Sequence, residues 1–244
     1  MVRNVSALHN GWAGLLVADG MRVLGGHYND NDQLGIGGNT ATGILLDGLD
    51  EDPATLDGPE LARNHTLHAS CDFEAGGMKW DFGQVTIRDA HVHDNDCRGL
   101  WADLNAHDAL IEHNLIEHNL AEGIFYEISR DAVIRHNRID RNGLRGAGWY
   151  WDGGITVASS SGVEVYGNRL SGNVNGITGT QQDRPDSVPP AHLLDDLHVH
   201  DNLICATGNH PTGVAADNGA DLDSRDITFA SNTIQQSACE SRTA

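Results

Sequence analysis

The sequence predicts an all-β chain wound as a single-stranded right-handed parallel β-helix, a solenoid of about eight coils of three short strands with asparagine-ladder turns. Three observations carry that expectation. A glycine followed by an aliphatic residue recurs along the chain, two columns of asparagine keep fixed offsets, and apolar and polar residues alternate between them.

The anchors are Gly14, Gly35, Gly77, Gly99, Gly123, Gly154, Gly176 and Gly213, spaced by 21, 42, 22, 24, 31, 22 and 37 residues. The short intervals suit one three-strand coil, and the long ones suit the same coil with a loop inserted. Asn114, Asn137, Asn168, Asn202 and Asn232 each stand two residues before Ile116, Ile139, Leu170, Ile204 and Ile234. A second set, Asn119, Asn142 and Asn173, lies five residues after the first three of these and is joined by Asn95, Asn31 and Asn10. Stacked turns produce such columns, because asparagine tolerates the left-handed backbone and its amide can bond the asparagine of the next coil. Between columns the period is two, as in Ala132 and Ile134 against Val133 and Arg135, which means strand.

Composition agrees with a narrow aliphatic core: 39% of residues are hydrophobic, only 5% are aromatic, and glycine numbers 29. No composition shift marks a linker, so residues 1–244 are expected to form one domain, with loops inserted near 40–60, 143–152 and 180–196. The last of these carries Pro185, Pro189 and Pro190. The repeat already runs by Asn4–Leu16, which suggests a fragment lacking its N-terminal cap and a chain able to associate through uncapped ends. A formal charge of −20 argues against nucleic acid, whose phosphates need Lys and Arg. No run of eighteen apolar residues is present, so membrane insertion is not expected, and no signal peptide is visible. Cys71, Cys97, Cys205 and Cys239 lack zinc spacing; Cys71 and Cys97 either meet across neighbouring coils or stay reduced in the stack.

With its anchors and asparagine turns, the chain resembles the right-handed parallel β-helix superfamily of pectate-lyase-like and glycosidase-like proteins. The segments Gly77-Met78-Lys79-Trp80, Gly99-Leu100-Trp101-Ala102-Asp103 and Gly123-Ile124-Phe125-Tyr126-Glu127 are similar to repeats of secreted bacterial β-helix proteins of mostly unassigned substrate. The resemblance implies an extracellular or cell-surface location; it is specific for fold, not for activity.

Chemistry is expected on the outward face of the glycine-led strands. With Met78, Leu100, Ile124, Ile155 and Ile177 inward, alternation turns out Lys79, Trp101, Phe125, Thr156 and Thr178, then Asp81, Asp103, Glu127, Ala158 and Thr180. Three carboxylates thus share a column at the roughly 4.8 Å spacing of paired strands, close enough to repel. One acid can hold a proton, a cation can bridge them, or Lys79 can compensate; alternatively the side chains splay into solvent. Lys79 is the only lysine beside fourteen arginines. Exposed Trp101 and Phe125, with Trp149, Tyr150 and Trp151 in the loop before Gly154, suggest platforms and a lip for sugar rings.

These residues lead to the expectation of a carbohydrate-active protein that binds an extended polysaccharide and cleaves it. As a glycosidase it would use Glu127 as acid and Asp103 as nucleophile, about 5 Å apart, with Asp81 one coil beyond. As a lyase it would use Lys79 as base, with Asp81 and Asp103 holding Ca²⁺; β-helix lyases with a lysine base look similar. The strong negative charge repels polyuronates and favours the hydrolase, which needs no cofactor. The rival is a non-catalytic carbohydrate-binding, adhesin or spike module. Fourteen histidines invite a metal reading, but the two His-Val-His-Asp-Asn copies, at 91 and 198, fall in different registers, which argues against a shared ligand motif.

Overall fold

The computed structural model describes residues 1–49, 56–183, 192–217, 220, 222 and 226–239. Among these, no helix forms, and the strands assemble into three parallel sheets of nine, eight and seven strands. The chain visits each sheet in turn, so neighbours within a sheet come from successive coils. In one coil, Arg98–Asp103 lies in the eight-stranded, glycine-led sheet, Ala109–Glu112 in the nine-stranded sheet and Leu115–Glu117 in the seven-stranded sheet. The three-strand coil expected from the anchors is the one observed.

Registers stack like on like. Leu100 pairs with Met78 and Ile124, Ile111 with Ile87 and Ile134, and Ile116 with Val92 and Ile139. These aliphatic columns fill the solenoid, and nearly all their members are fully buried, each stabilising by roughly 1.5–3 kcal/mol.

Both asparagine ladders form. In the longer one, Asn10, Asn31, Asn64, Asn95, Asn119, Asn142 and Asn173 each receive or give a backbone N–H and a side-chain amide bond at 2.8–3.2 Å to the next member. The other runs Asn114, Asn137, Asn168, Asn202, Asn232. The left-handed residue, however, is the one before each asparagine: φ is 58° at His113, 55° at His118, 55° at His136 and 54° at Arg141. Histidine is among the residues enriched in that region, which accounts for several of the fourteen.

The anchor glycines are required by the ladder beside them. A Cβ at Gly99 would stand 2.5 Å from the Gly123 carbonyl and 2.9 Å from the Asn119 amide. Gly213 departs from the column: Thr178 pairs with Gly213 and Ile177 with Thr212, so Pro211 occupies the anchor position opposite Gly176.

The segments expected as loops divide differently. Ile44–Asp47 and Glu60–Ala62 are strands, so the long interval after Gly35 holds one full coil, with an insert at 63–75. Thr180 lies within the strand Asn175–Gln182, and Asp195–His200 resumes the nine-stranded sheet. Residues 50–55 and the prolines Pro185, Pro189 and Pro190 lie outside the described residues. The loop 143–152 is a true insertion between Arg138–Asp140 and Gly153–Ala158. Two disulfides, Cys71–Cys97 and Cys205–Cys239, tie separate turns together. No helix is long and apolar enough to cross a membrane among the described residues.

Candidate functional site on the glycine-led sheet

The outward column has the expected register. Lys79 pairs with Trp101 and Trp101 with Phe125; Asp81 pairs with Asp103, and Glu127 pairs with Ala158. Its environment is buried, which excludes the alternative of side chains splayed into solvent and the expected exposure of Trp101 and Phe125. Lys79, Asp81, Asp103 and Glu127 are 4%, 5%, 8% and 6% exposed, and Trp101 and Phe125 are 3% and 2% exposed. Trp101 and Phe125 therefore cannot serve as open sugar platforms: they form, with Ala158 and Trp151, a second apolar cluster outside the solenoid core.

Two cations roof that cluster. The Lys79 ammonium lies 4.2 Å from the Trp101 ring centroid, and the Arg98 guanidinium lies 4.3 Å from Trp101 and 4.5 Å from Phe125. Arg98 in turn pairs with Glu122 at 3.1 Å and donates to the Cys71 carbonyl. The loop closes from the other side. Trp151 meets Phe125 edge-on at 6.2 Å, while Asn175 donates to the Trp149 and Trp151 carbonyls and Thr178 to that of Tyr150. Tyr150 stacks on His210 at 4.3 Å, and Arg145 pairs with buried Asp152 at 2.8 Å. Of the three loop aromatics only Trp149, 41% exposed, offers a broad open ring.

Lys79 is the centre of the carboxylate cluster. Its Nζ is 2.9 Å from Asp103, 3.1 Å from Glu74 and 4.0 Å from Asp81. Burial alone would lower the lysine pKa, but Asp103, then Asp81 and Glu74, outweigh it and hold it above the ordinary value. That direction opposes the role of Lys79 as a base, which needs a neutral amine at working pH. Burial, followed by the nearby charges of Asp103 and Glu74, pushes Asp81 up to about 6 against the pull of Lys79. The lysine thus compensates the crowded acid column, and one acid holds its proton to a higher pH than an ordinary carboxylate does. The Asp81–Asp103 pair does not suit Ca²⁺, because the ammonium already takes up the position facing both carboxylates.

Glu127 accepts a hydrogen bond from the Trp101 indole at 3.1 Å and lines a cleft of about 210 Å³ together with Phe125, Trp151, Arg98, Arg145 and Asp72. Lys79, Asp81 and Asp103 do not line that cleft; Trp101 separates them from it, its face under Lys79 and its indole N–H on Glu127.

Sequence reasoning missed Glu74, Arg98, Glu122 and Arg145. Alternation from Leu100 places Arg98 inward, but both Gly99 and Leu100 face the core, since a Cβ at Gly99 would touch Ile116 and Asn119. The break at the anchor turns the preceding residue out. A charged residue immediately before an anchor, as in Arg98-Gly99 and Glu122-Gly123, is the signal that was available.

Among solved structures, the chain superposes on a point mutant of the periplasmic alginate epimerase AlgG with a TM-score of 0.65 and 18% identity, covering 92% of this chain and 47% of that one. Another structure of AlgG gives a TM-score of 0.64 and 15% identity over 94% of this chain and 50% of that one. The chain therefore spans about half the length of these neighbours. No curated protein sequence matches it. The family model described as a right-handed β-helix region matches residues 1–170 and, in an overlapping second match, 79–241. Together with three parallel sheets, laddered turns and one continuous core, that match identifies the chain as a member of the right-handed β-helix family.

Proposed function

We propose that the chain is a carbohydrate-active β-helix that holds an extended polysaccharide along the glycine-led sheet and cleaves it as a glycoside hydrolase, with Glu127, which lines the cleft, as proton donor; Asp103, paired with Lys79 and outside the cleft lining, does not take the role of the second carboxylate. The observation that carries this reading is Glu127 itself: a carboxylate aimed into a cleft, oriented by the Trp101 indole, one coil beyond Asp103 in the same column. Trp149, exposed at the lip, supplies the ring surface that Trp101 and Phe125 do not.

The lyase alternative is weaker because its base is Lys79, pinned by three carboxylates and away from the cleft. Arg98 and Arg145 do line the cleft, but each already faces a buried carboxylate, Glu122 or Asp152. With the charge of −20, that pairing favours a neutral glycan over a polyuronate. Support for a polysaccharide of some kind comes also from the superposed proteins, since alginate, the substrate in their description, is a polysaccharide. The two disulfides support a location outside the reducing cytoplasm, extracellular or at the cell surface.

Glu127→Gln tests the assignment. Turnover of the cleaved glycan falls by at least a hundred-fold while affinity stays within a few-fold, as expected when a proton donor is replaced by its isostere. Unchanged turnover contradicts the assignment. Glycan binding with no turnover in the parent protein points instead to a non-catalytic binding module.

A further inference from the structure

The seven-stranded sheet, away from the cleft, gathers imidazoles and carboxylates that the proposed hydrolysis does not use. Glu60–Ala62 pairs in register with His91–His93, Glu60 beside His91 and Ala62 beside His93, and His27 bridges to Glu60 from the preceding coil. Period two places His91 and His93 on one face, with ring centroids 3.9 Å apart. One donor atom from each of Glu60, His91 and His93 lies within 4.8 Å of the other two.

We propose that Glu60, His91 and His93 form a Zn²⁺ site that clamps neighbouring coils of the solenoid. The surroundings have the form of a built site, because each imidazole is oriented by a carboxylate on its far nitrogen. His93 Nδ1 faces Asp94 at 2.7 Å, which leaves Nε2 turned to Glu60 Oε1 at 3.1 Å. His91 Nε2 faces Glu117 at 3.0 Å, which leaves Nδ1 as its donor. Carboxylate–histidine pairs of this kind fix the tautomer and raise the basicity of a metal ligand. Glu60 is positioned too: its Oε2 accepts from the buried Asn29 amide at 2.5 Å and faces His27 Nδ1 at 2.6 Å. Two imidazoles with one carboxylate suit zinc rather than calcium, which takes oxygen donors. An adjoining cleft of about 260 Å³, lined by His27, Glu60, His91 and Asp57, gives the ion a way in and leaves a fourth position for water.

The second His-Val-His-Asp-Asn copy is a control within the molecule. His198 and His200 lie on the nine-stranded sheet; His198 faces Asp196 at 2.8 Å, and His200 stacks on Tyr166 and faces Glu164 at 3.2 Å. Among the described residues, the group of Asp196, His198 and Asp226 holds a single imidazole.

The test is calorimetric titration of the chelator-stripped protein with zinc chloride, with thermal melting in parallel and circular dichroism to confirm that each variant is folded. One Zn²⁺ binds per chain and raises the melting temperature. His91→Ala and His93→Ala weaken binding by at least ten-fold, as does Glu117→Gln through the orientation of His91. His198→Ala and His200→Ala leave affinity unchanged. Glu60→Gln, which keeps the shape of the side chain, serves if a histidine variant does not fold, and it too weakens binding by at least ten-fold. Absence of stoichiometric binding, equal affinity in Glu60→Gln or His93→Ala, or equal losses in the His198 and His200 variants overturns the proposal.

Discussion

Lys79 holds three carboxylates in a space with almost no water, so its removal exposes what the cluster costs. Glu74 Oε2 and Asp81 Oδ1 already lack hydrogen-bond partners. Lys79→Met leaves Glu74, Asp81 and Asp103 facing one another uncompensated, and a buried charge that loses its partner costs about 3–5 kcal/mol. Urea unfolding at pH 7 reads that loss, whereas an effect below 1 kcal/mol would mean that the cluster is hydrated. Asp81 adds a pH signature. It titrates near 3.8 when unfolded and near 6 when folded. Below the lower value both states hold the proton. Between the two only the folded state does, so stability falls as pH rises, and the penalty, about 3 kcal/mol at 1.36 kcal/mol per unit, is complete above the upper value. Asp81→Asn accordingly stabilises the protein at pH 7 by roughly 1–3 kcal/mol and has little effect at pH 3, flattening the profile between pH 4 and 6. Equal effects at both pH values would assign the change to packing.

At the scale of the turn and the strand, the ladder carries what the isolated coil lacks. Asn119 is fully buried; its Oδ1 accepts from the Asn95 backbone and amide, and its amide reaches the Val92 carbonyl and Asn142. Asn119→Ala orphans several of these groups at about 1–3 kcal/mol each and so lowers stability by several kcal/mol, while Asn10→Ala, at an exposed position, costs less than about 1 kcal/mol. Denaturant midpoints of the two variants make the comparison. Reduction of Cys71–Cys97 frees the segment whose carbonyl holds Arg98, so it lowers the melting temperature and loosens the cleft. The ladders and aliphatic columns were legible in the sequence because every coil meets the same corner geometry and repeats the same residue. The acid column was legible for the same reason, through strict alternation after the anchor. Arg98 and Glu122 were not, because alternation breaks at the glycine that follows each of them. Nor was the burial of Trp101 and Phe125, which depends on a distant loop folding back through Asn175 and Thr178. Gly213 misled because a motif can recur one residue out of register where Pro211 takes the anchor position.

Across the whole molecule, the described coils distribute their chemistry by face: an aliphatic interior, a glycine-led face with a capped acid column and cleft, and a histidine-rich face on the seven-stranded sheet. The first turns leave Val5, Leu8, Trp12 and Leu16 exposed at 44%, 44%, 42% and 51%, and Ile234 near the other end is 49% exposed. The middle coils carry the candidate site, and the side chains beneath it are buried. The central claim is that this face hydrolyses a glycan through Glu127, and it is tested most directly by incubating the protein with neutral and uronic polysaccharides, with and without Ca²⁺. Reducing ends and the ultraviolet absorbance of unsaturated product are followed together, with Glu127→Gln alongside. The account predicts reducing ends from a neutral polysaccharide, independent of Ca²⁺, without that absorbance, and absent in the variant. Unsaturated product, or reducing ends that persist in Glu127→Gln, would contradict it.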